Sequence, residues 1–162
     1  MNKEYYQYDL IVKNDVCHCI WYTNEKDGFI TEFNKIKYFK TMEEFRQFIK
    51  LNSINVNEGC AALSIDQAEE WLSNKVVEID CEYFLNFWNL ISDLANSVEE
   101  KFYGYQEDNT TVQKIYDKLF YGNNIPSLVK GNKRYQPKWD AEEIAEIANV
   151  IKDGLRIVEK IL

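Results

Sequence analysis

Residues 80–98, DCEYFLNFWNLISDLANSV, decide the fold. Phe84, Phe87, Trp88, Ile91, Leu94, Ala95 and Val98 recur at i, i+3, i+4 and i+7 spacing, the period of an amphipathic α-helix. A run this long and this regular predicts a helix from Asp80 onward. A second pattern lies on the same helix. Asn86, Asn89, Asp93 and Asn96 fall three and four residues apart, forming a stripe to one side of the apolar face. Short amide and carboxylate side chains compete with the backbone and are poor helix formers. Glu, Lys or Gln would suit a solvent-facing helix better. The stripe therefore implies that something packs close to it, either a neighbouring loop of the same chain or a partner. The intramolecular reading is preferred, with the partner reading left open.

Towards the C-terminus the helical period continues. Val112, Ile115, Tyr116, Leu119 and Phe120 follow the polar break QEDN (106–109) and end at YGNN (121–124), where Gly122 and the asparagines read as a helix stop. A last helix starts at WDAEE, with Asp140 as cap and Glu142 and Glu143 at the positive end of the dipole. Its stripe is Ile144, Ile147, Ala148, Ile151, Leu155 and Val158.

Towards the N-terminus the pattern changes to strands. YYQYDLIV (5–12) and VCHCIWYT (16–23) are rich in aromatic and β-branched residues, with KND as the turn between them. EKDG is another turn before FITEFN and IKYF. An antiparallel meander of three or four strands is expected. Thr41 and Glu44 have capping-box spacing and open a helix over 42–51. NSINVNEG (52–59) reads as a loop, CAALSI (60–65) as a further strand, and DQAEEWL (66–72) as a helix whose Asp66 and Glu69 resemble another capping box. The fold class is α+β: a small antiparallel sheet in about residues 1–65, with a helical half, about 66–162, packed on it as one domain.

The 162 residues carry 27 Asp plus Glu against 19 Lys plus Arg, a net charge of -8, with 46% hydrophobic and 15% aromatic residues. That composition supports a real core. The acidity opposes direct contact with nucleic acid and favours a basic partner, although solubility alone also selects acidic proteins. There is no apolar signal core and no stretch long enough to span a bilayer. Cys17, Cys19, Cys60 and Cys81 lack a CxxC pair, which points to reduced thiols in the cytoplasm.

Chemistry-bearing motifs are sparse. In CHC (17–19), strand alternation turns His18 away from both cysteines, so no metal site is expected. His18 is the single histidine, no nucleophile elbow flanks a serine, and no phosphate-cradling glycine loop is present. Neither an enzyme nor a cofactor is expected. KGNKRYQPK (130–138) is a basic loop read as solvated. The acidic residues cluster at helix starts and outer faces, where capping and solvation account for most of them.

LNFWNLISDLANSV, IYDKLFYGNNIPSL and PKWDAEEIAEI resemble segments of small bacterial immunity proteins, the cognate inhibitors encoded beside polymorphic and contact-dependent growth-inhibition toxins. The similarity covers much of residues 66–158. It implies a cytoplasmic, non-enzymatic protein that neutralises a toxin C-terminal domain, often a nuclease, by covering its active site with an acidic surface. From the charge argument, the expected contact residues are Asp66, Glu69, Glu70 and Trp71, then Glu78, Asp80 and Glu82. The alternative is a non-enzymatic adaptor or regulatory interaction protein. Oligomeric state is not legible in the sequence.

Overall fold

The structure, a computed structural model, describes residues 2–74, 78–105, 108–126, 128–129, 131 and 133–162. Strands β1 (Glu4–Val12) and β2 (Asp15–Thr23) form an antiparallel hairpin along their whole length. Its two-residue turn holds Lys13 at φ 52° and Asn14 at φ 66°. This left-handed pair matches the right-handed twist of the strands.

The strands expected from FITEFN and IKYF are reduced to two-residue pieces: β3 (Gly28–Phe29), β4 (Thr31–Glu32), β5 (Lys35–Ile36) and β6 (Tyr38–Phe39). β3 and β6 pair with β2, whereas β4 and β5 pair with each other. Helix α1 (Met42–Leu51) follows, and the Glu44 amide donates to the Thr41 hydroxyl at 3.2 Å.

The pairings of β2 with β1, β3 and β6 are antiparallel as expected, and strand β7 (Val56–Ser64) adds one parallel partner: it lies along β1 and ends the sheet order β3-β2-β1-β7. Its first four residues fall in NSINVNEG, which sequence reading placed in a loop. Gly59 at φ 102° and a register shift between Tyr5 and Gln7 explain the discrepancy: a bulge breaks the alternation that marks a strand.

Four helices complete the chain: α2 (Ile65–Asn74), α3 (Cys81–Ser97), α4 (Thr110–Gly122) and α5 (Ala141–Ile161). Asp80 caps α3 by accepting from the Tyr83 amide at 3.1 Å, and Asp140 and Glu143 form a full capping box on α5. Helix α2 is capped differently from expectation. The Gln67 amide donates to Ser64 Oγ at 3.3 Å, so Ser64 is the cap and Asp66 lies inside the first turn.

The sheet has a helix layer on each face, set by strand alternation. Leu10, Cys17, Cys19 and Leu63 join the main core with α2 to α5, while Ile20 and Phe39 pack with Phe45 of α1 on the other side. His18 belongs to the α1 side, where its Nδ1 lies 2.8 Å from Asp9. Helices α3 and α5 approach closely at Gly154, where a Cβ would come within 2.8 Å of the Phe87 ring. Among the described residues no helix is long and apolar enough to cross a membrane.

Candidate functional site

Five of the seven expected contact residues converge. Glu70 and Trp71 of α2, Glu78 and Asp80 of the following connection, and Glu82 of α3 line one cleft of about 1080 Å³. Its opposite wall is the end of α4 and the segment 134–139. The carboxylates of Glu70, Glu78 and Glu82 are exposed, and among the described residues they form no ion pair. Trp71 lines the same cleft. Its ring meets Phe84 edge-on at 5.1 Å, and its Nε1–H donates to the Glu78 carbonyl at 3.2 Å.

The far wall is pinned by specific contacts. Lys118 of α4 holds Glu143 with 2.9 Å bonds to both carboxylate oxygens and donates to the Lys138 carbonyl. Its ammonium also sits 4.6 Å from the Trp139 ring centre. Gly122 has a different purpose from the expected helix stop. It is helical, and a Cβ there would meet Cys81 Sγ at 2.5 Å, so glycine permits α3 and α4 to close the base of the cleft. The left-handed residue after α4 is Asn124, at φ 51°.

An apolar pocket of about 390 Å³ adjoins the cleft, and Asn124 and Tyr135 line both. Tyr121, Ile125, Leu128 and Tyr135 surround it, four of the eight large apolar residues exposed among those described. Exposed apolar groups gathered beside free carboxylates have the make-up of a protein-binding surface, an anchor patch next to a polar rim. Sequence reading missed this half. The available signal was IPSL (125–128), apolar residues just past a helix stop with no periodic partner. The basic loop is solvated as expected, with Lys133, Arg134 and Lys138 exposed, and it also forms a wall, with Arg134 and Tyr135 lining the cleft; Lys130 lies outside the described residues.

Asp66 and Glu69 do not belong to the cleft. The Asp66 carboxylate accepts from the Lys13 and Asn14 amides at 2.7 and 2.8 Å, fastening the hairpin turn to α2. Glu69 lines a separate cleft with Lys13, Lys40 and Lys152. The error has a simple cause: residues 66, 69 and 70 are neighbours in sequence, but a helix turns successive side chains by about 100°.

Many other carboxylates are held within the fold. Glu100 binds Arg156 and Lys160, which keep its carboxyl below the usual range, and Glu146 accepts from the Tyr103 hydroxyl at 2.6 Å. The cysteines offer little nucleophilic character. Burial pushes all four thiols up, and Cys60 donates to the Ala61 carbonyl at 3.2 Å. Among the described residues no three metal-ligating side chains gather.

Three members of the stripe, Asn86, Asn89 and Asp93, border another hollow, of about 430 Å³, between α3 and strands β1, β2 and β7, whereas Asn96 lines a different one. Asp93 accepts from Trp21 Nε1–H at 2.9 Å, and Asn89 accepts from the Tyr116 hydroxyl at 2.8 Å. The stripe does anchor other elements, but through side chains of β2 and α4 rather than through a loop backbone.

No family model and no curated protein matches the chain. Among solved structures, it is similar to the crystal structure of the SatS C-terminal domain in complex with bromine, at 14% identity and a TM-score of 0.50. The match covers 99% of this chain and 92% of that one. At this identity the likeness is one of fold: sheet and helices arranged alike.

Proposed function

We propose that this protein is a cytoplasmic immunity protein, which binds the C-terminal domain of a cognate toxin and neutralises it by occlusion rather than by chemistry. The observation that carries the reading is the junction of the acidic cleft with the exposed apolar pocket across Asn124 and Tyr135. The net charge of -8 supports it by favouring a basic partner. The resemblance of three helical segments to immunity proteins supplies the partner class. A nuclease, whose cleft must attract phosphate, fits such a surface. Glu70, Glu78 and Glu82 take the place of phosphates, while Tyr121 and Tyr135 supply the buried contacts that dominate affinity.

The test is calorimetric titration against the toxin domain encoded by the neighbouring upstream gene, repeated across a salt series. Nanomolar binding whose association slows as salt rises is expected. The double reversal Glu70→Lys/Glu82→Lys weakens it, whereas Glu69→Lys alone does not. Absence of binding between two folded proteins removes the immunity reading and leaves an adaptor or regulatory module.

A further inference from the structure

The hollow beside the asparagine stripe is a site of a different kind from the acidic cleft. Tyr6, Tyr8 and Trp21 form its aromatic side, and Asn86, Asn89 and Asp93 its polar side. The Tyr6 and Trp21 rings lie 5.7 Å apart at 47°, presenting inclined faces. Glu58 adds a second carboxylate at the rim, and among the described residues no lysine or arginine lines the hollow. Of the two Asp93 carboxylate oxygens, Oδ2 takes the Trp21 indole N–H. Aromatic faces, amide oxygens and two carboxylates are together the chemistry that holds a cationic side chain.

The neighbouring strand says how that cation arrives. β7 ends the sheet, and no strand pairs with its far side among the described residues. Residues 58–62 of that strand are exposed, and Glu58 to Ala61 also line the hollow. Most of this exposed run is small and uncharged, lacking the lysines and prolines that usually protect an edge. An extended segment added there gains main-chain hydrogen bonds and directs alternate side chains towards one face.

We infer that this hollow receives an arginine or lysine side chain from an extended segment of a partner protein paired with the free edge of β7. The inference rests on the reading that the chain binds a protein, and it adds a second contact region on a different part of the molecule. It also assigns a purpose to three of the four short polar residues of the stripe, Asn86, Asn89 and Asp93: a longer side chain at Asn86 or Asn89 would fill the space the cation needs.

The test needs no toxin, so its failure is separable from failure of the immunity reading. The full-length protein is titrated with a capped nine-residue threonine–valine peptide bearing one central arginine, and with the same peptide bearing citrulline. Expected are saturable shifts of the Trp21 indole N–H resonance and slowed hydrogen exchange in residues 58–62, both with the arginine peptide. Asp93→Asn should weaken that binding about tenfold, as loss of a desolvated cation partner does. Asn86→Lys lies on an exposed helix position that tolerates change, and its tethered ammonium should abolish binding without altering the melting temperature. Equal binding of the citrulline peptide, or no saturable shift at all, overturns the cation site. Free N-acetylarginine methylamide binding as tightly as the peptide, without protection of residues 58–62, overturns the strand.

Discussion

Asn124 and Tyr135 clasp each other twice: Asn124 Nδ2 donates to the Tyr135 carbonyl at 2.9 Å, and the Tyr135 amide donates to Asn124 Oδ1 at 2.6 Å. One amide side chain thereby copies the donor and acceptor of a neighbouring strand. It ties segment 133–139 to the end of α4, at the position where cleft and apolar pocket share a wall.

Replacing that side chain separates two contributions. Asn124→Gly tolerates the φ of 51° and loses the two clasp bonds together with the 2.9 Å bond from Nδ2 to the Gly122 carbonyl, at a cost of about 1–2 kcal/mol. Asn124→Ala loses the bonds and adds backbone strain, so it is the less stable of the two. Urea unfolding of both variants measures the order; an alanine variant as stable as wild type would show that the clasp contributes nothing.

Asp66→Ala should behave as a structural substitution. It leaves the Lys13 and Asn14 amides without their carboxylate and lowers stability by about 1–2 kcal/mol. Affinity of the folded variant for the proposed toxin partner should be unchanged, since Asp66 stands outside the cleft proposed to receive it. Thermal melting and calorimetry on the same sample check both halves.

Asp93 imposes a pH dependence. Burial raises its carboxyl to about 6, with the Trp21 indole N–H pulling it down and Asp27 pushing it up. The folded value lies above the ordinary 3.8, so the native state holds the proton more firmly than the unfolded chain does. The stabilising effect of that proton is complete below about pH 4 and is lost as pH rises through about 6. Asp93→Asn keeps an oxygen for the indole and removes the ionisation. The difference between wild-type and variant urea midpoints should therefore grow from pH 4 towards about pH 7, with the variant the more stable at the upper end.

Gly154→Ala sets helix propensity against packing. Alanine gains about 1 kcal/mol in a helix, but its methyl would press on Phe87 and Ile91, both buried. The ring is enclosed and cannot swing away, so a net loss of about 1–2 kcal/mol is expected. Gly154→Val should lose more. A variant melting above wild type would show that α5 shifts freely on α3.

Thiol chemistry should follow exposure. Cys60 is exposed, Cys81 half-buried, and Cys17 and Cys19 buried. Titration of the native protein with a disulfide reagent should show one slow accessible phase that Cys60→Ser removes, with Cys17 and Cys19 reacting after unfolding.

The helices were legible because periodicity and caps agree: Asp80, Asn109 and Asp140 each precede a regular apolar stripe, and each accepts from an amide three residues on. The β1–β2 hairpin was equally plain. The second half of β7 was read as a strand from CAALSI, but residues 56–59 were obscured because the Gly59 bulge breaks alternation, and the parallel pairing with β1 is a long-range choice that no local pattern records. Of the residues that line the candidate cleft, Glu70, Glu78 and Glu82 were singled out from charge, whereas Arg134 and Tyr135 were not. Their place in the wall depends on Asn124, which sequence reading saw as a helix stop alone.

The parallel pairing of β1 with β7 also orders events in time. Lys13 and Asp66, which meet beside that pairing, are 53 residues apart in the chain. The hairpin and α1 are complete in local sequence, and short loops close faster than long ones. During synthesis the hairpin therefore emerges with the β1 edge open and with Leu10, Cys17 and Cys19 uncovered, since their helical layer is made later. A nascent chain halted before residue 56 should be captured by a holdase chaperone, whereas one extended past residue 98 gains both the missing strand and α3 to cover that face.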